Sequence, residues 1–259
     1  MRRWLPFAAR LDDWVPPHCS VGSANGRGRG LFVSKAFKAG ETIFQEAAVV
    51  DSGARKVTSQ VFLTEAKEPA WALMAQAVQL YLGQGDPRHP AGTAHRRWRL
   101  LKSFYRPADR ADEPERATYQ RHAEQMHEMM GPDLHEQVKV EVLVDLLEVI
   151  RLDAHTVREP SQSSQKRHGL GLFYWLHLAN HSCWPNAFFQ SSRNEQEDYA
   201  TMTLLALRPL DPGDEVCISY VDGRTLLSPL HVRRRVIQQQ FGFRCTCPRC
   251  CQEESASQT

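Results

Sequence analysis

Four of the chain's seven cysteines fall within seven residues near its end, in Cys245-Thr-Cys247-Pro-Arg-Cys250-Cys251. The spacing Cys245-x-Cys247-x-x-Cys250 puts three thiols within reach of one ion, and Pro248-Arg249 between them reads as a turn. Closed tetrahedral zinc sites take four ligands, commonly all cysteine, with Zn–S near ~2.3 Å. Three ligands are local, so a fourth must come from elsewhere. Cys251 is poorly placed, because adjacent residues splay their side chains apart. Cys183 is the better donor, His181 is a weaker one, and Cys217 is spare. A site closed in this way ties the end of the chain to a segment far back in the sequence, which few folds allow.

That segment is Asn180-His181-Ser182-Cys183-Trp184-Pro185-Asn186. It follows an apolar run, Leu170 to Leu178, that reads as buried. Pro185 bars a regular helix and biases Trp184 toward extended backbone. A bent polar segment leaving a core is where chains place binding groups.

Taken in order, the sequence Asn-His-Ser-Cys-x-Pro-Asn, then Ile218-Ser219-Tyr220, then Cys-x-Cys-x-x-Cys resembles a SET-domain protein-lysine methyltransferase with its post-SET zinc loop. Within that superfamily it most resembles the SET-and-MYND branch, in which the cysteine of the central motif completes the zinc site. The resemblance covers about residues 18–50 and 135–251. There is no cysteine between Cys19 and Cys183, so the cysteine-rich MYND module of that branch is missing. Its long C-terminal helical-repeat domain is expected to be missing too.

The resemblance implies a SET fold: mostly β with a helical insertion (α+β), short twisted sheets, a knot-like crossing of the motif and tyrosine segments, and a post-SET zinc loop. It implies one structural zinc on Cys183, Cys245, Cys247 and Cys250, with no open position for water. It implies S-adenosylmethionine as cofactor. Arg27-Gly28-Arg29-Gly30-Leu31 matches the family's first cofactor motif, which places Arg27, Gly28 and Arg29 along that molecule. Asn180 and His181 would bind its adenine and amino-acid ends. Phe241 and Phe243 would stack on the adenine, a role that flat apolar faces suit. Tyr220 would be catalytic, its hydroxyl directed at the reacting methyl and amine. His177 is a further cofactor candidate at a position usually small in the family. Asp153 stands where the family often has asparagine.

With 42% hydrophobic residues among 259, the chain can bury a substantial core. A formal net charge of +2 gives no global case for a nucleic-acid binder. The basic clusters Arg96-Arg97 and Arg233-Arg234-Arg235 read as solvated helix faces. An odd, bunched set of cysteines argues for metal rather than disulfides, hence a reducing compartment. The N-terminus has a basic start but an apolar part too short for a secretory segment, and no run approaches the ~18 apolar residues of a membrane span. The expectation is a monomeric intracellular protein, cytoplasmic, nuclear or both, acting on a lysine-bearing protein or peptide.

Along the chain, residues 1–17 read as an N-terminal extension, 18–241 as the SET domain with a helical insertion at about 60–150, and 242–251 as the post-SET loop. A glycine-rich turn leads into a strand near Leu31–Val33, and a second strand runs from Thr42 to Glu46. Apolar spacing predicts helices over 65–82, 95–105, 113–130 and 134–150, with a further one over 230–241. Met126, Met129 and Met130 are expected in the core, and His122, His127 and His135 at the surface. Ser161 to Arg167 reads as a polar loop. Tyr199 to Leu205 and Glu215 to Tyr220 read as strands. The competing expectation is a catalytically inactive SET-like interaction module with a structural zinc.

Overall fold

The computed structural model describes residues 15–52, 69–84, 94–104, 113–158, 168–194 and 199–257. The expected polar loop at 161–167, the start of the first helix at Glu65 and most of the N-terminal extension lie outside them. The chain forms two compact units, one comprising Glu46–Tyr174 and Ser191–Met202, the other Val15–Gln45, Trp175–Gln190 and the chain from Thr203 onward.

The first unit carries the helical insertion. Its helices are α1 (Pro69–Tyr81), α2 (Ala94–Ser103), α3 (Glu113–Glu128), α4 (Pro132–His135) and α5 (Val140–Asp153). On α1, Leu73, Met74, Ala77 and Val78 are all fully buried, and α5 contributes Leu143, Leu146, Val149 and Ile150 to the same core. The spacing that buries residues 146, 149 and 150 of α5 carries Asp153 to that inward face too, where it is 9% exposed. Met126 and Met130 are buried, as their spacing predicts. His122 and His135 are exposed. His127 is half-buried, lies 2.9 Å from the Val138 carbonyl and stacks on His135.

Arg97 departs from the expected solvated face. It is 3% exposed and donates to the Val49 carbonyl. Neighbouring helical residues point about 100° apart, so one member of an Arg-Arg pair can turn inward while the other stays in water.

Two strands that the sequence reading missed follow α5: β5 (Ala154–Arg158) and β6 (His168–Leu172). They pair antiparallel, and β6 also pairs with the two-residue β4 (Val50–Asp51). Buried Asp51 accepts from Arg193 and from the Ala200 N–H.

The second unit is built on a four-stranded sheet. Strands β1 (Cys19–Ser23) and β2 (Arg29–Val33) form a hairpin across the predicted glycine-rich turn. β10 (Glu215–Ile218) lies between β2 and β7 (Asn180–His181), antiparallel to the first and parallel to the second. Strands β3 (Thr42–Ala47), β8 (Ala187–Asn194) and β9 (Tyr199–Ala206) form a further sheet in the order β3-β9-β8, and each has residues in both units. Helices α6 (Gly223–Leu226), α7 (Leu230–Phe241) and α8 (Pro248–Ala256) complete the unit.

The last helix was read as a turn. Pro248 occupies the first helical turn, where its missing N–H costs nothing, and Cys247 is the residue before it. The post-SET segment therefore continues as helix beyond Cys251.

Candidate active site and metal centre

The site lies within the second unit. The apolar run before the motif divides: β6 ends at Leu172, one turn of 3-10 helix covers Leu176–Leu178, and β7 begins at Asn180. β7 pairs with β10 through Asn180 opposite Cys217 and His181 opposite Ile218. Past β7 the chain bends away, and Asn186 takes over the pairing with its side chain. Its amide donates to the Glu215 carbonyl at 2.8 Å, and its carbonyl oxygen accepts from the Cys217 N–H at 2.8 Å. A carboxamide can mimic a peptide group in this way, so the side chain adds to the backbone bond by which the Asn186 N–H donates to the Cys217 carbonyl at 3.1 Å. Asn186 was not singled out from the sequence; the second asparagine of the motif was the available signal.

The four thiols of Cys183, Cys245, Cys247 and Cys250 are buried and lie within 4.8 Å of one another. The Sγ of Cys183 is 4.0 Å from that of Cys245 and 3.6 Å from that of Cys250. A tetrahedron with Zn–S of ~2.3 Å has edges of ~3.8 Å, so the four sulfurs can hold one zinc ion. Hydrogen bonding with Cys183, Cys245 and Cys250 holds Cys247 well below the usual thiol range, and bonding with Cys183 and Cys245 brings Cys250 down to about 7, while Cys183 and Cys245 are pushed up in return. Cys251 is exposed and donates to the Thr246 carbonyl, and Cys217 is buried on β10 away from the cluster. His181 is not a ligand here. Its Nδ1 accepts from the Tyr220 N–H at 3.0 Å, and its Nε2 lies 3.3 Å from the Cys183 sulfur. Burial lowers its pKa to about 4, so the ring is neutral and Nε2 carries the proton. Both nitrogens are thus engaged within the chain, and the ring is buried.

α7 ends at Gly242 in the left-handed conformation, with φ of 63°. Its N–H closes on the Ile237 carbonyl, and the chain turns back toward the thiols. That reversal sets Phe241 and Phe243 against Tyr220. The Tyr220 ring centroid is 5.1 Å from that of Phe241, 6.4 Å from Phe243 and 5.4 Å from His181. Phe243 is also 6.2 Å from His181. Three rings from two separate segments therefore meet around one phenol. The Tyr220 hydroxyl donates to the Ala179 carbonyl at 3.0 Å, which fixes its direction.

Arg27, Gly28 and Arg29 are exposed at the hairpin loop. Arg27 pairs with the Glu215 carboxylate, which also accepts from the Asn180 side chain at 2.8 Å. The Asn180 amide donates to the Arg29 carbonyl as well, at 3.0 Å. Gly30 makes this junction possible. A Cβ there would lie 2.9 Å from Ala24 Cβ, 3.0 Å from Glu215 Oε1 and 3.1 Å from Asn180 Nδ2. Glu215 was not anticipated: nothing in the sequence pairs residues 27 and 215. His177 is half-buried on the 3-10 turn. Asp153, a departure from the family pattern, belongs to the first unit.

A profile of the SET domain matches residues 28–221. A SET and MYND domain-containing protein of Dictyostelium discoideum is 35% identical over 104 residues, 40% of this chain and 28% of that protein. The human protein-lysine N-trimethyltransferase SMYD5 is 35% identical over 85 residues, 33% of this chain and 19% of that protein. The chain thus spans less than a third of the length of these relatives. Among solved structures, the SET domain of LSMT bound to lysine and AdoHcy superposes with a TM-score of 0.51 at 11% identity, over 80% of this chain and 50% of that one. Together with the order of motifs along β2, β7, β10 and the C-terminal thiols, the domain match decides the classification: this chain belongs to the SET-domain family.

Proposed function

We propose that the chain is an S-adenosylmethionine-dependent protein-lysine N-methyltransferase acting on a histone or non-histone protein. The observation that carries this reading is the convergence of Tyr220, His181, Phe241 and Phe243, with the four thiols closing the segment that bears both phenylalanines. When bound, the cofactor supplies a methyl group already activated on a sulfonium. The chain's residues fit such a group. Phe241 and Phe243 offer half-buried aromatic faces, and Gly28 and Arg29 offer a loop without bulky apolar groups.

What remains for the protein is to align an uncharged amine. Tyr220 is the residue we assign to that task. Its hydroxyl proton is directed at Ala179, so the oxygen's lone pairs face away from that carbonyl, where they can accept from an amine. The rings around it lower the local dielectric and disfavour an ammonium, whose unperturbed pKa is near ~10.4. Holding reactants in line can lower a barrier by up to ~7–11 kcal/mol in the best cases. The zinc is structural in this reading, because four thiols fill its coordination. The four clustered thiols support a reducing setting.

The test is transfer of label from methyl-labelled S-adenosylmethionine to proteins of a cell lysate, with the modified lysines mapped by mass spectrometry. Tyr220→Phe is expected to lower the rate about 10²-fold, the scale on which a lost positioning contact acts. Full activity in that variant would remove Tyr220 from its assigned role.

A second reading, an inactive SET-like interaction module, is favoured by one contact: Arg27 already has its anion in Glu215. Titration calorimetry with S-adenosylmethionine separates the two, because the inactive module would show no binding.

A further inference from the structure

Arg233 is read from sequence as one of three solvated arginines. In the structure it is 0% exposed, and of the three only it is fully buried. α7 explains the difference: residues 233 and 237 share its inward face, whereas 234 and 235 turn away. A buried guanidinium costs several kcal/mol unless anions and acceptors surround it. Arg233 Nη1 donates to the Ser228 carbonyl at 2.6 Å. Nη2 donates to Glu253 at 2.8 Å and lies 3.7 Å from the Cys250 sulfur. Its Nε–H finds no acceptor among the described residues.

Glu253 cannot neutralise this charge alone, because it also accepts from Arg249 Nε at 2.7 Å. Arg249 in turn donates to the Cys183 carbonyl at 3.2 Å. A second set repeats the pattern. Arg234 donates to the Cys245 carbonyl at 3.1 Å and pairs in bidentate fashion with Glu254, which also pairs with Arg244. Four guanidiniums and two carboxylates leave two positive charges. A zinc ion with four thiolates carries two negative ones. Around this cluster the protein has assembled an excess of cations equal and opposite to the charge of the filled site.

We infer that Arg233 is the outer-sphere counter-charge of the metal-thiolate centre, and that Arg234, Arg244 and Arg249 form an outer collar which Glu253 and Glu254 tie to α8. Arg233 is the member that reaches a ligand sulfur. An N–H directed at a thiolate withdraws charge from the sulfur, which protects it from protonation and oxidation and holds the metal. Outer-shell groups of this kind typically change metal affinity by ~10–100-fold. The inference rests on the cluster binding zinc.

The experiment measures zinc affinity of the purified chain by competition with a chromophoric chelator, and cobalt(II) substitution by its thiolate-to-metal charge-transfer band. Wild type is expected to bind one equivalent. Arg233→Met is expected to lower affinity about 10–100-fold. Arg233→Lys, which keeps the charge but loses the fork, should fall between. Glu253→Gln, which frees Arg233 from its anchor, should give a smaller loss with an altered cobalt band. If Arg233→Met does not yield folded protein, the lysine and glutamine variants decide. Wild-type affinity in both of those, or in Arg233→Met where it folds, overturns the inference while leaving the zinc reading intact. A wild-type chain that binds no zinc overturns both. A further readout excludes a purely structural role: the thermal shift between zinc-loaded and chelated protein should shrink in Arg233→Met, and an unchanged difference would count against the assignment.

Discussion

In the helical unit, Leu73, Met74 and Val78 of α1 and Leu143 and Val149 of α5 belong to one large apolar core. In the unit that carries the site, the cluster around the chain's end buries four thiols and one isoleucine, with the remaining order supplied by arginine-glutamate pairs and by an asparagine that stands in for backbone. Apolar burial is non-directional and tolerates repacking, so the first arrangement suits an insertion that only has to fold. Metal-thiolate and charge-assisted contacts are directional. They suit a segment whose rings must come to rest within a few ångströms of one phenol.

The contrast predicts different failures. Stripping zinc, or replacing Cys247 with serine, should have the largest effect. Structural zinc sites contribute apparent free energies of about 10–16 kcal/mol to small domains. Metal content should fall from one equivalent to none and methyl transfer should be abolished. Helical circular dichroism from α1, α3 and α5 should survive. Loss of that signal along with the metal would mean that the units are not energetically distinct.

Leu143→Ala should invert the pattern. A cavity at this fully buried position costs about 2–5 kcal/mol, visible in urea unfolding, while one equivalent of zinc is retained. Asn186→Ala comes next. It removes two bonds to the backbone around β10 and leaves buried partners unmet, at about 1–3 kcal/mol, and should lower activity with metal still bound. Loss of metal there would show that the ladder, not the thiols, sets the site.

The one effect gated by pH concerns Asp153 on α5. Burial raises its pKa to about 8, and its Oδ2 has no hydrogen-bond partner among the described residues. Unfolded, it ionises near ~3.9. Between those values the folded form holds a proton that the unfolded form releases. Its contribution is therefore fully present below ~4 and is lost as pH rises through about 8. Asp153→Asn should match wild type in acid and exceed it by a margin that grows as pH rises from ~4 toward about 8. Melting temperatures from pH 5 to 9 that run parallel in the two proteins would contradict this.

Much of the site was legible because its chemistry is local in sequence. Cys245, Cys247 and Cys250 declare a metal by spacing, and the motif around Cys183 supplies the fourth thiol. The helices of the insertion were legible through periodicity. α5 nevertheless begins at Val140 rather than 134, after the separate turn α4. Strands β5 and β6 were not legible, since their order comes from tertiary pairing, β5 with β6 and β6 with β4 as well.

The amino-acid order by itself determined which residues can bind metal, which can stack, and where helices run, because ligand type, ring shape and apolar period are properties of neighbouring residues. Tertiary structure alone decided which arginine of three is dry, that Glu215 answers Arg27 and Asn180, and that Asn186 completes a strand. Those outcomes depend on charges and hydrogen-bonding groups that meet across long sequence separations. The free energy of such a group is set by what surrounds it once water has been excluded.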